Sequence, residues 1–255
     1  MTYKYNALTG YQNSVTMPSD AMKVNGEYLE SLVDGYQQLV VSGRDILAQE
    51  VEHLQIPGKD GAHLIRAYTS PRILTIQYKL DANSSEELRA QYNALNGVLR
   101  GSLDITFDDE LGWHYYGMLN TSDSPPENTL SVVSSFTIMC VDPYAYSEVK
   151  TNNPVVLNYA EAVLPQKITV KGANQDNIKI SNGVDELTIF GGHTTSDTIV
   201  IEWNPEEVTV KKNGNNALTS LSWLSVPEVF YLTNGAQITV TNGTLVGIEW
   251  RDRKL

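Results

Sequence analysis

Alternation of apolar and polar residues with a period of two runs through most of this chain. It commits the backbone to strands, because only an extended chain sends successive side chains to opposite faces. Leu74, Ile76, Tyr78 and Leu80 fall on one face of one such segment, with Thr75, Gln77 and Lys79 on the other. Leu103, Ile105 and Phe107 repeat the pattern, with Asp104 and Thr106 facing out. Val132, Phe136, Ile138 and Cys140 form a third stripe, interrupted by Ser134. A single segment keeps helical time instead. Ser84 reads as its N-cap, Glu87 completes a capping box, and Leu88, Tyr92, Leu95 and Leu99 follow at helical spacing. Gly97 or Gly101 then supplies the stop.

Beyond residue 165 the helical signal disappears and short strands follow at regular intervals. They are expected at Lys167–Lys171, Ile178–Ile180, Leu187–Phe190, Thr198–Trp203, Val208–Lys211, Val229–Leu232, Ala236–Thr241 and Leu245–Arg251. Asn182-Gly183, Asn213-Gly214, Asn234-Gly235 and Asn242-Gly243 punctuate them, and Asn-Gly is the strongest two-residue hairpin signal. The pattern suggests a jelly-roll or galectin-like sandwich. Between the halves, Thr151-Asn152-Asn153-Pro154 is polar and turn-prone. The expected organisation is therefore mainly β with one helix: an N-terminal domain over 1–147, a linker over 148–164 and a C-terminal domain over 165–255.

The chain of 255 residues is long enough for two cores, and a formal charge of −12 opposes non-specific binding to phosphate backbones. No specific nucleic-acid binding is expected. Cys140 is the only cysteine, which excludes an intrachain disulfide. It sits on the inward face of a strand with no cationic activator in sequence, so a small buried hydrophobe is expected there. No apolar stretch approaches the roughly 18 residues of a membrane span, and the first residues lack a signal-peptide core, so synthesis and folding in a cytoplasm are expected.

Candidate chemistry is sparse. Asp108, Asp109 and Glu110 form the densest acidic cluster and raise a metal site or a glycosidase carboxylate as readings. Adjacent carboxylates on an extended chain point apart, which favours an acidic turn before Gly112. His53, His63, His114 and His193 show no paired ligand spacing. No phosphate loop, nucleophile elbow or dinucleotide fingerprint is present, so no catalytic residue, metal or cofactor is assigned and no enzyme is expected. Trp203, Trp223, Tyr231 and Trp250 raise saccharide stacking as an alternative, with Trp203 and Trp250 as the candidate contacts; core or interface packing is the favoured role.

Several motifs, taken in order, resemble the distal tail protein (Dit) family of siphophages that infect Gram-positive bacteria. They are Gly43-Arg44-Asp45, the Ile56–Gly61 turn with Pro57, Gly58, Lys59, Asp60 and Gly61, and the helix from Ser85. Asp108-Asp109-Glu110, Tyr115-Tyr116-Gly117 and Asp142-Pro143-Tyr144 follow. In the second half Thr198–Trp203, Val208–Gly214, Ala236–Thr241 and the closing Glu249-Trp250-Arg251 continue the match. The resemblance implies an N-terminal belt domain that builds a homohexameric ring, with stacked pairs of rings as an alternative form, and a galectin-like domain outside it. It further implies a place at the distal end of the virion tail. The expected partners are other copies of the chain, the major tail tube protein, the tail-associated lysin or tip protein, and receptor-binding or baseplate proteins. Interface positions expected on this basis are Pro57 to Gly61 together with Asp108, Asp109, Glu110, Trp113 and Tyr116. No long insertion interrupts the C-terminal half, as the arm of some relatives would, and an acidic lumen would let DNA pass without sticking.

Overall fold

The computed structural model describes residues 17–125 and 129–255. In chain order its elements are β1 (Met22–Val24), β2 (Glu27–Tyr28), α1 (Leu29–Leu32), β3 (Tyr36–Ser42), β4 (Gln49–Leu54), β5 (His63–Thr69), β6 (Arg72–Asp81), α2 (Ser85–Val98), β7 (Leu103–Phe107), β8 (Trp113–Ser122) and β9 (Ser131–Cys140). After β10 (Ala145–Ser147) come β11 (Ala162–Val163), β12 (Lys167–Gly172), β13 (Gln175–Ser181), β14 (Glu186–His193), β15 (Thr198–Trp203), β16 (Val208–Lys212), β17 (Asn215–Asn216), β18 (Leu232–Thr233), β19 (Thr239–Thr241), β20 (Gly243–Glu249) and β21 (Arg253–Lys254). The chain divides into two units, residues 1–145 with Leu255 and residues 146–254.

In the first unit the strands lie in the order β2-β1-β7-β8-β9-β6-β3. The hinge of this sheet is β8: its Tyr115–Gly117 stretch pairs with β7, whereas Met118 onward pairs with β9. The three expected stripes face inward. Leu74, Ile76, Tyr78 and Leu80 are buried, as are Leu103, Ile105, Phe107, Val132, Phe136, Ile138 and Cys140. Tyr78 stacks on Tyr36 and tilts against Phe136, with ring centroids 5.6 Å apart in both pairs. Fully burying each large apolar side chain contributes about 1.5–3 kcal/mol. Leu88, Leu95 and Leu99 of the α2 segment add to the same core.

The cap of α2 is as the sequence predicts, with one difference. Ser84 Oγ accepts from Glu87 N–H at 3.1 Å, but the Glu87 carboxylate accepts from Asn83 N–H, one residue before the cap, at 2.8 Å. The helix runs through Gly97, and Gly101, at φ +88°, lies beyond its end. The described residues hold two α-helices rather than the one expected. Four residues, Leu29–Leu32, are too few to show a 3.6-residue period. A further hairpin signal, Asn25-Gly26 with φ of +52° and +90°, joins β1 to β2.

In the second unit a sheet β17-β16-β15-β12-β20 and a sheet β14-β13-β19 contribute to one core. Ile168, Val170, Ile199, Ile201 and Ile248 come from the first sheet; Ile178, Ile180, Leu187 and Ile189 come from the second. Seven of the eight expected segments hold strands, the β15 segment with the expected bounds. The segment Val229–Leu232 differs. Pro227–Val229 forms a 3-10 turn and only Leu232–Thr233 is strand, because Pro227 fixes a turn conformation and lacks the N–H a ladder needs.

Residues 148–164, expected as a linker, carry Val155, Leu157 and Val163 into the second core. The Asn153 amide mimics a strand neighbour, exchanging hydrogen bonds with the Ile238 N–H and carbonyl at 2.9 Å each. Further on, the buried Asp252 carboxylate accepts from Asn158 N–H at 2.7 Å and Ala160 N–H at 3.1 Å. Polar composition suited a linker here. The same polarity serves to bind the segment down.

Two substitutions test this packing. A Cβ at Gly117 would lie 2.7 Å from Ile138 Cγ2 and 2.8 Å from the Met139 carbonyl oxygen. Gly117→Ala is expected to destabilise the first unit by about 1–3 kcal/mol in denaturant titrations, as overpacking does. Asp252→Ala leaves several inward N–H groups without an acceptor, at about 1–3 kcal/mol per group, and should lower the unfolding midpoint of the second unit by more than Gly117→Ala lowers that of the first.

Candidate functional site

Among the described residues the strands β4 and β5 pair only with each other and lie outside the main sheet of their unit. No residue from Gln49 to Thr69 is buried. Their turn is the expected one: Lys59 N–H donates to the Ile56 carbonyl at 3.1 Å, and Gly58 and Gly61 hold φ of +80° and +81°. Pro57, Gly58, Lys59, Asp60 and Gly61 are therefore at the exposed tip of a hairpin. Its two faces differ. On one, Glu50 pairs with Tyr68 and Glu52 with Arg66. Tyr68 OH donates to Glu50 at 2.7 Å, and Arg66 forks onto Glu52 through Nε and Nη2 at 2.7 Å each. On the other, Val51 pairs with Ala67 and His53 with Leu64, and Val51, Leu64 and the bulged Ile65 are exposed. The polar face satisfies itself, whereas the apolar face meets solvent.

The three carboxylates of the acidic turn between β7 and β8 are engaged by four side chains. Asp108 accepts from Lys23 Nζ at 2.9 Å and from Tyr28 OH at 2.7 Å. Asp109 takes a two-pronged bond from Arg44, at 2.6 and 2.9 Å. Glu110 accepts from Tyr115 OH at 2.9 Å and lies 3.6 Å from Arg44. Among the described residues no three His, Cys, Asp or Glu side chains gather as a metal set. Burial acts to raise the Asp108 carboxyl, but the bonds from Lys23 and Tyr28 outweigh it and hold the group below its ordinary value. Trp113 packs half-buried against the first core, and Tyr116 stacks on His114, whose Nδ1 is 2.8 Å from Asp104. Cys140 is enclosed, and burial pushes its thiol up to about 11.

The structure joins what the sequence left apart. Arg44 of the Gly-Arg-Asp motif grips Asp109 of the acidic turn and lies 4.2 Å from the Phe107 ring centroid. An open cleft of about 510 Å³, lined among others by Ser42, Arg44, Asp45 and Glu110, lies beside this contact. The hairpin tip and the acidic turn are thus two ends of one feature, the tip and the root. Sequence reasoning missed Arg72. Its signal is its parity: Arg72 shares the inward face of β6 with Leu74 and Ile76 and is 1% exposed.

The two tryptophans singled out as saccharide contacts fare differently. Trp250 is 0% exposed and donates its Nε1–H to the Asn152 carbonyl at 3.2 Å, so it has no open ring face. It lies at the inward parity of the closing strand, and its size made it core. Trp203 is half-buried against Phe230, with its Nε1–H on the Pro227 carbonyl at 2.8 Å. The open indole is Trp223, at 87% exposure.

An exposed hairpin rooted in ion pairs thus stands on an enclosed β unit. The family profile described as phage tail protein RIFT-related domain matches residues 2–139, and the chain belongs to that family. Its fold is similar to that of the Dit protein of phage SPP1, with a TM-score of 0.73 and 18% identity over 92% of this chain and 99% of that one. That protein is described as a paradigm of the hub adsorption apparatus in phages infecting Gram-positive hosts. Two structures of the phage p2 baseplate in its activated conformation, with calcium and with strontium, are similar at TM-scores of 0.53 and 0.51. Identity there is 8% and 10%, over 87% of this chain and 91% of theirs. No curated protein matches. The chain is a phage tail protein, as its ordered motifs led one to expect.

Asp108 gives the site a pH signature. Its folded value lies below the unfolded value of about 3.9, so its stabilisation is present above that pH and is lost as pH falls through the folded value. Asp108→Ala should therefore be less stable than the parent at pH 7, with the difference closing in strong acid, as read by urea midpoints across pH.

Proposed function

We propose that this chain is the hub at the distal end of a siphophage tail. Six copies close into a ring through the N-terminal domain, 1–147, and join the tail tube to the tail-associated lysin or tip protein. The C-terminal domain, 165–255, is in this reading a galectin-like sandwich that anchors receptor-binding or baseplate proteins, and the role is non-catalytic. The observation that carries the reading is the fold match to SPP1 Dit along nearly the whole of both chains.

The surface features support a ring. A closed ring needs two different surfaces that meet head to tail. The hairpin offers an apolar face and two strand edges that no other strand among the described residues covers, a liability on a solitary protein and a resource in an assembly. The tip residues Pro57 to Gly61 and the segment from Asp108 to Tyr116 are the proposed contact regions. Saccharide recognition at Trp250 is disfavoured by its burial.

Light scattering after size exclusion should give about six times the chain mass of 28.3 kDa, or twice that for stacked rings. Val51→Glu with Leu64→Glu, which charges the apolar hairpin face, should return a folded monomer. A parent chain that stays monomeric both alone and with tail tube protein would overturn the ring.

A further inference from the structure

The hairpin leaves the first unit through two legs, residues 43–48 on one side and 70–71 on the other, and two guanidinium groups fasten the first leg to the unit. Arg72 opens β6 directly after the second leg. Its Nη1 donates to the Gly43 carbonyl at 2.8 Å and more weakly to the Asp45 carbonyl at 3.5 Å, both on the first leg. Its Nε donates to the Pro143 carbonyl at 2.9 Å, in the connection between β9 and β10. One side chain thus ties two separate backbone segments to its own strand, at the motifs Gly43-Arg44-Asp45 and Asp142-Pro143-Tyr144.

Energetics make this placement informative. Removing a charge from water costs several kcal/mol unless the site returns good hydrogen bonds. The hydrogen-bond partners of Arg72 among the described residues are carbonyl oxygens, and its Nη2 is buried without a partner. An apolar side chain of similar volume would fill the same space without that penalty. What an apolar side chain cannot do is donate to both a leg and the β9–β10 connection at once. A planar fork with fixed donor directions can.

The first leg is pressed against β6 at the same level. Gly43 has φ +93°, and a Cβ there would lie 2.0 Å from the Ile73 carbonyl oxygen. One residue on, Arg44 grips Asp109 and lies 3.9 Å from Asp20. The two guanidiniums are linked: Glu110, beside Arg44, accepts from Tyr115 OH, and the Tyr115 ring centroid is 5.7 Å from Arg72. Glu50 adds a tie across the base, accepting from Ser70 Oγ and Tyr68 OH. Every one of these bonds is at the root.

We propose that Arg72 and Arg44 are positioning residues, a double clasp that sets the direction in which the β4–β5 hairpin projects, and that copies of the chain assemble only when that direction is fixed. The second half of this inference rests on the ring reading above; the first half does not. Preorganisation of a contact element removes the ordering cost that binding would otherwise bear.

The test places spin labels at Lys59→Cys on the hairpin tip and Asn93→Cys on an exposed turn of α2, and measures their distance distribution by pulsed electron resonance. The native Cys140 is enclosed and unreactive. In the otherwise native chain, kept at a concentration where it is monomeric, the distribution should be narrow. Arg72→Lys keeps the charge but cannot hold the first leg and Pro143 together, and should broaden the distribution about twofold or more. Asp109→Asn, at a half-exposed carboxylate, loosens Arg44 without touching the core and should broaden it less, which keeps the test open if Arg72→Lys fails to fold. A distribution as narrow as the parent's in folded variants overturns the clasp. Broadening with loss of the assembled mass supports both halves, and broadening with unchanged assembled mass overturns the second. If the unlabelled parent never assembles, the ring reading fails by itself while the label distances still decide the clasp.

Discussion

The ten residues of β6 pair one for one with β9, from Arg72 opposite Cys140 to Asp81 opposite Ser131, while β3 occupies the other edge of β6. A slip of one residue in this ladder would turn Leu74, Ile76, Tyr78 and Leu80 to solvent and bring Thr75, Gln77 and Lys79 inside. The first core, the docking of α2 and the position of β8 follow from that register. So does the placement of Arg72. It opens the strand on the inward parity, where the sheet has run out of apolar neighbours and meets instead the carbonyls of two crossing segments.

Much of this was legible because the signals are local. Inward stripes of period two, the Ser84 cap and the turns at Asn182-Gly183 and Asn213-Gly214 depend on neighbours a few residues away, and each is found where the sequence puts it, whereas Asn242-Gly243 joins strands of two different sheets. Features that depend on distant partners were not legible. Residues 148–164 look like a linker until Ile238 and Asp252 are seen to engage them. The short α1 and the 3-10 turn at Pro227–Val229 are too brief for any period to register. Trp250 offered an aromatic ring to a ligand on paper, whereas its strand parity gave it to the core.

The proposed contact residues show the same division. Pro57 to Gly61 and Asp108 to Glu110 were recognisable as turns, and turns they are. That one lies at the tip of a hairpin and the other at its root came only from the pairing of β4 with β5 and from the reach of Arg44 to Asp109. Arg72 carried a parity clue, since a charged residue in an otherwise apolar stripe has to find partners or leave the core.

None of residues 49–69 enters the core of its unit, and this separation has an evolutionary side. Selection on the hairpin and selection on the fold act on different residues. The hairpin sequence is free to drift, lengthen or be exchanged between related phages at little cost to the stability of the body that carries it, provided the arginines at its base are retained. Diversity among relatives should accordingly collect in the arm and thin out abruptly at Gly43 and Arg72.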